Sequence, residues 1–195
     1  MTYMSSFDAI VLAGGQGRRL GGVDKADLRV GDTTLLTWAL DAAAAASRRI
    51  VVGPPRALPV GVVGVSEEPP GGGPVAGLAA GLTEVGQPLV AVMACDMPFL
   101  DRDVVAELVA VAAEAEHVDG VLLVDGEGHR QPLAAAYRTD SLRRAIARLG
   151  TPRDAAMRSL IAHLLLVELP AGPDATLDCD TWEAVARSRD LLEEA

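Results

Sequence analysis

Ala9-Ile10-Val11-Leu12 runs straight into Ala13-Gly14-Gly15-Gln16-Gly17-Arg18-Arg19-Leu20-Gly21-Gly22-Val23-Asp24-Lys25, and this junction decides how the chain is read. The apolar run predicts a buried strand over 7–12. Five of the nine residues from Gly14 to Gly22 are glycine, so the backbone can come close to a ligand and turn its amide N–H groups toward it. Arg18, Arg19 and Lys25 add the positive charge that complements phosphate. A bland surface turn needs neither that many glycines nor three converging cations. The segment therefore reads as a phosphate-binding loop serving a nucleotide.

Two familiar glycine loops are excluded. A Walker A loop requires Gly-Lys-Ser/Thr in direct succession, whereas Val23-Asp24 separates Gly22 from Lys25. The dinucleotide fingerprint needs a third glycine where Leu20 stands, and two arginines intrude.

Composition narrows the class further. With 195 residues, half of them apolar, the chain can bury a sizeable core, and the expectation is one domain over residues 1–195. A formal charge of −10, from 17 Lys+Arg against 27 Asp+Glu, argues against nucleic acid or an anionic membrane as partner. Cys95 and Cys179 make neither a metal-ligand cluster nor a disulfide framework, which fits a reducing cytoplasm. Residues 1–8 lack a basic region followed by a long apolar segment, and no apolar run approaches about 18 residues, so a soluble cytoplasmic protein is expected.

Strand and helix signals alternate along the rest of the chain. Strands are predicted at 49–53, 60–65, 89–95, 120–125, 132–137 and 164–169, the fourth and fifth pairing across the turn at 126–129. Helices are predicted at 33–46, 74–84, 101–114, 141–149, 153–163 and 181–193, with Pro74 in a first turn and Asp101 as an N-cap. Such alternation implies an α/β fold, a mostly parallel sheet between two helix layers, with ligands beyond the carboxyl ends of the strands. The Pro/Gly-rich segment 67–74 lies between a strand and a helix, as an active-site loop would.

The chemistry is expected at those strand ends. Asp96 follows the apolar strand 89–95 on the same edge as the glycine loop, where a carboxylate can hold magnesium and bridge it to phosphate. Asp101 is better placed to cap the next helix. Asp178 and Asp180 flank Cys179; either they complete a metal site or hold an acceptor, or Asp180 simply caps the last helix with Glu183 as its capping-box partner. Cys179 sits between acids that disfavour its thiolate, and Cys95 reads as core. His117, His129 and His163 share no ligand spacing, and no serine occupies a nucleophile elbow. What remains suits direct phosphoryl or nucleotidyl transfer.

Leu12-Ala13-Gly14-Gly15 with Arg19, Gly21-Gly22 and Asp24-Lys25, then Gly73-Pro74-Val75-Ala76-Gly77, Cys95-Asp96-Met97-Pro98, Gln131-Pro132-Leu133 and Asp178-x-Asp180-Thr181 resemble, in order, the molybdenum cofactor guanylyltransferases, the MobA family. The resemblance implies a Rossmann-like, three-layer fold of the nucleotide-diphospho-sugar transferase type. It also implies transfer of GMP from GTP to the terminal phosphate of molybdopterin, with release of pyrophosphate and a requirement for Mg2+. By the same resemblance Leu12, Ala13, Gly14 and Gly15 contact the nucleotide, Lys25 its phosphates, and Asp96 both nucleotide and metal. Arg19 joins Lys25 and Asp96 in catalysis, Glu68 occupies the place of an acidic residue that binds the guanine nucleotide, and Asp178 and Asp180 face the acceptor. Transient contact with proteins of molybdenum cofactor synthesis or insertion belongs to the same expectation. Gly53 stands where the family carries asparagine, and Trp182 where it carries proline. Competing expectations are CTP in place of GTP, GTP with another phosphorylated acceptor, and a non-catalytic nucleotide-binding module. The Gly14-Gly15 pair favours guanine over cytosine, since the cytidylyltransferases tend to carry Leu-Ala-Ala-Gly.

Overall fold

In the computed structural model, which describes residues 6–15 and 18–194, β1 (Phe7–Leu12) is the strand on which the rest is built. Short strands β2 (Arg29–Val30) and β3 (Thr33–Thr34) follow, then α1 (Leu35–Ala42), β4 (Arg49–Val52), β5 (Val62–Val65), α2 (Pro74–Gly81) and β6 (Leu89–Ala94). The second half comprises α3 (Arg102–Glu114), β7 (Gly120–Val124), β8 (Arg130–Arg138), α4 (Thr139–Leu149), α5 (Met157–Ile161), β9 (Leu166–Pro170) and α6 (Trp182–Glu193). The main sheet has the order β5-β4-β1-β6-β8-β7-β9, and only β8 runs against its neighbours. The mostly parallel α/β arrangement expected from the alternation is what forms. The exception has a local cause, because β7 and β8 are joined by a tight hairpin in which Gly128 adopts φ 85°, and a hairpin can only return antiparallel.

All six residues of β1 are buried, as a strand covered on both faces must be. Phe7, Ala9 and Val11 point into one core with Leu36 and Leu40 of α1 and Val105, Leu108 and Val109 of α3. Ile10 and Leu12 point into the other, with Val75 and Leu78 of α2, Leu142 of α4 and Leu160 of α5. The one polar residue of β1, Asp8, is satisfied by the backbone N–H groups of Gly86 at 2.7 Å and Gln87 at 3.1 Å. A third, smaller core joins Leu20 after the glycine loop, Leu28 and Val30, Leu35, Cys179 and Val185. It fastens the carboxyl-terminal part of the chain beside the glycine loop, which matters for the site. Among the described residues no helix is long and apolar enough to cross a membrane.

Several boundaries differ from the sequence expectation. The helix expected over 33–46 starts at Leu35, because Thr33 and Thr34 pair with Val30 and Arg29, and the Thr34 hydroxyl accepts from Thr37 N–H as the N-cap. The helix expected over 153–163 is only α5, since Asp154 takes φ 58° and Ala156 is extended. At the last helix the cap is Thr181, whose hydroxyl accepts from Ala184 N–H at 3.2 Å. Asp180 turns away to Lys25, so its reading as the cap is corrected. Replacing Thr181 with alanine is therefore expected to cost about 1 kcal/mol of stability in urea denaturation. Asp180→Ala should cost clearly less, because it removes no cap.

Candidate active site

Four neighbouring strand ends, those of β5, β4, β1 and β6, are tied to one another before any side chain is considered. Ala13 N–H donates to Val52 O at 2.8 Å, Gly53 N–H to Val65 O at 3.0 Å and Cys95 N–H to Leu12 O at 3.0 Å. These bonds continue the ladders of β1, β4 and β6 past the sheet and give a rigid rim to a cavity of about 520 Å3. Leu12, Gly14, Gly15, Gly53, Pro74 and Asp96 are among its walls, together with Lys25 and Leu133 of β8. The cavity thus sits beyond the carboxyl ends of parallel strands, where this architecture places ligands. Gly53 is there for want of space: a Cβ would stand 2.8 Å from Ala13 O. An asparagine at that position would not fit the present backbone.

Lys25 is delivered by a single 3-10 turn, Lys25–Asp27, capped by Asp24, whose Oδ1 accepts from Ala26 N–H at 3.0 Å. Gly21 and Gly22, at φ 76° and 84°, make the bend that leads into it. The Lys25 Nζ donates to Asp96 Oδ2 at 2.8 Å and also to the carboxylate of Asp180. Lys25 and Asp96 are largely buried in this contact, at 18% and 16% side-chain exposure. The residue between the two acids of the tail completes the junction: Cys179 N–H donates to Asp96 O at 2.9 Å. Its side chain is buried against Ser188, with Sγ 3.5 Å from Oγ.

Negative charge exceeds positive charge here. Asp178 keeps a side open to solvent, yet local burial raises its carboxyl above the ordinary carboxylate value, and the charge of Asp96 adds to the rise while Lys25 and Arg19 oppose it. Arg19, exposed, thus shares the field of this acid cluster. Both thiols are inert: burial pushes Cys95 far up with help from Asp96, and burial likewise raises Cys179.

Ala13 is buried with its carbonyl turned to Arg56 rather than into the cavity. Glu68 is exposed beside the cavity; its neighbour Glu67 lines the wall and accepts from Gly71 and Gly72 N–H at 3.2 and 3.0 Å. Gln16, Gly17 and the side chain of Arg18 lie outside the described residues. His129 stands in the exposed β7–β8 turn, 3.3 Å from Asp125 and 3.5 Å from Glu127. Among the described residues no group of three or more His, Cys, Asp or Glu is assembled as a metal cage. Glu67 belongs to the segment 67–74 expected as an active-site loop and shapes the turn before α2, whereas Arg56, which bonds to Ala13 and Asp24, had no signal in the sequence.

A glycine loop, a lysine and a strand-end acid around one cavity, on a sheet with a single reversed strand, form the architecture of a nucleotidyltransferase. Residues 9–169 match the family described as the MobA-like NTP transferase domain. A molybdenum cofactor guanylyltransferase from Bradyrhizobium sp. is 37% identical over 139 residues, 66% of this chain and 64% of that protein, so the match spans just under two thirds of that relative. A probable molybdenum cofactor guanylyltransferase from Natronomonas pharaonis is 30% identical over 206 residues, 97% of this chain and 100% of that protein. Among solved structures, the molybdopterin-guanine dinucleotide biosynthesis protein A of Archaeoglobus fulgidus superposes with a TM-score of 0.75 at 22% identity, covering 96% of this chain and 100% of that one. A Mycobacterium tuberculosis protein solved in complex with manganese has a TM-score of 0.70 at 20% identity, with 95% and 99% covered. The chain belongs to the MobA-like NTP transferase family.

Asp178 offers a direct check on the electrostatics. Its raised pKa means that the folded state holds this proton more tightly than the unfolded chain, so stability is lost as pH rises through that range. Asp178→Asn removes the loss. The variant should be more stable than the wild type in urea at about pH 7, and the difference should vanish below about pH 3, where both states are protonated.

Proposed function

We propose that this chain transfers GMP from GTP to the terminal phosphate of molybdopterin, releasing pyrophosphate and using Mg2+. The single observation that carries the reading is that Lys25, which joins Asp96 to Asp180, lines the glycine-rich cavity together with Asp96. The names of the 37% and 30% identical relatives support the choice of reaction and substrates. In this reading the backbone from Leu12 to Gly15 lies along the nucleotide, and Glu68 stands by the guanine side. Asp178 and Asp180 face the acceptor.

The donor set fits a hard divalent cation. Asp96 presents a carboxylate at the open end of β6, close enough to Asp178 that its charge adds to the burial that raises the Asp178 carboxyl. Magnesium is commonly held by only one or two carboxylates, with phosphate and water oxygens completing its shell, so no ready-made cage is required. Asp96 would hold the ion, which when bound supplies positive charge against the triphosphate.

The task for the protein's own groups is electrostatic. The acceptor phosphate is already an anion and needs no strong base; the obstacle is its repulsion from the triphosphate. Lys25 can exchange its carboxylate partners for phosphate oxygens, and Arg19 adds charge at the rim, so both neutralise the approach while the glycine backbone holds the groups in line. No thiol or histidine is required. In this reading the cavity that Lys25 helps to line takes the nucleotide and the Asp178–Asp180 segment, tied to the same lysine through Asp180, takes the acceptor, so donor and acceptor meet at the lysine.

Pyrophosphate release measured with each nucleoside triphosphate, with and without molybdopterin, tests this reading. GTP with molybdopterin should give turnover; preference for CTP would move the chain to cytidylyl transfer, and binding of GTP without pyrophosphate would make it a binding module. Asp96→Asn should lower kcat by about 100- to 1000-fold with the fold retained. Lys25→Ala should raise the GTP concentration required and slow turnover, and unchanged kinetics would remove Lys25 from the site.

A further inference from the structure

We infer that Arg56 is the positioning residue of this site, holding the Lys25 turn against the end of β1, and that it does so at the expense of stability. The inference deepens the reading of Lys25 given above and rests on it. Arg56 lies in the loop after β4, behind Pro54-Pro55, whose fixed φ angles stiffen the approach. Its side chain is only 11% exposed. One nitrogen, Nη2, donates to Asp24 Oδ2 at 3.0 Å and reaches Ala13 O at 3.3 Å. Ala13 directly follows β1, between the cavity-lining residues Leu12 and Gly14, and Asp24 uses its other oxygen to cap the turn that carries Lys25. A single guanidinium therefore links the end of β1 to the capped turn that carries Lys25, across a loop whose backbone is otherwise rich in glycine.

The remaining geometry is poor for stability. Nε and Nη1 of Arg56 are buried with no hydrogen-bond acceptor among the described residues, and Asp27 approaches Nη1 only to 3.7 Å. A buried charged group with unpaired donors is unfavourable, and an apolar side chain of similar length would avoid that penalty. Asp24 is well exposed, so losing its partner would return it to water at little cost. The contacts that Arg56 does make, from Nη2 to Ala13 O and Asp24 Oδ2, are the ones that join β1 to the Lys25 turn.

The test compares the wild type with Arg56→Met, Arg56→Lys, Asp24→Asn and the Arg56→Met/Asp24→Asn double variant. Each is measured by thermal unfolding, by amide hydrogen exchange of peptides covering residues 19–28, and by pyrophosphate release with GTP and molybdopterin. Arg56→Met should stay within about 4 °C of the wild-type Tm or exceed it. It should nevertheless speed exchange in 19–28 and raise KM for GTP, each about tenfold, with a smaller change in kcat. Exchange in β1 and β4 should hold. Arg56→Lys should recover part of the effect, and the double variant should be no worse than Arg56→Met, since both act through one link.

Wild-type exchange in 19–28 for Arg56→Met would overturn the inference. So would a sharp fall in Tm accompanied by faster exchange throughout the protein, which would mark a merely structural arginine. Absence of pyrophosphate from the wild type would defeat the proposed reaction, yet the exchange measurement would still decide the role of Arg56.

Discussion

The ammonium of Lys25 joins parts of the chain 155 residues apart, and the geometry of the site depends on that contact. The glycine loop brings the lysine, β6 brings Asp96, and the segment before α6 brings Asp180. Around this ionic junction neutral bonds do the aligning: Cys179 N–H on Asp96 O, and the small core of Leu20, Leu28, Val30, Leu35, Cys179 and Val185. Packing sets where the charges stand. A partly buried ion pair gives little net stability by itself, so its place here is better understood through what it presents to a ligand.

Much of the fold was legible because the strands are short unbroken apolar runs bounded by turn residues. β1, β6 and β7 are buried on both faces, and the reversed direction of β8 follows from glycines that could be read off the turn. The Asp101 cap was legible for the same local reason, its carboxylate accepting from Val104 N–H. What escaped was whatever depends on contacts remote in sequence. Two-residue strands such as β2 and β3 have no periodicity to detect. Asp180 and Thr181 are both good caps, and local sequence cannot choose between them; the choice was made by Lys25, which draws the aspartate away.

The site divides along the same line. Lys25 and Asp96 belong to motifs whose residue types announce their chemistry, and the parallel topology then brings them together. Arg56 carries no such announcement, because an arginine after two prolines looks like an exposed loop residue until the fold buries it beneath Ala13 and Asp24. Glu67 stands between the two cases: its Pro/Gly-rich segment marked a loop beside the site, but that its carboxylate is spent on Gly71 and Gly72 N–H, shaping the loop opening α2, depends on the fold.

The double grip on Lys25 also bears on which anions enter. With no ligand bound, the ammonium is already latched to two carboxylates on a chain that repels anions at long range. At the lysine itself, a stray sulfate or orthophosphate therefore meets a charge that is already paired. Under the function proposed above, only a guest with enough contacts along the glycine backbone would outcompete the internal partners, so discrimination would precede any chemistry.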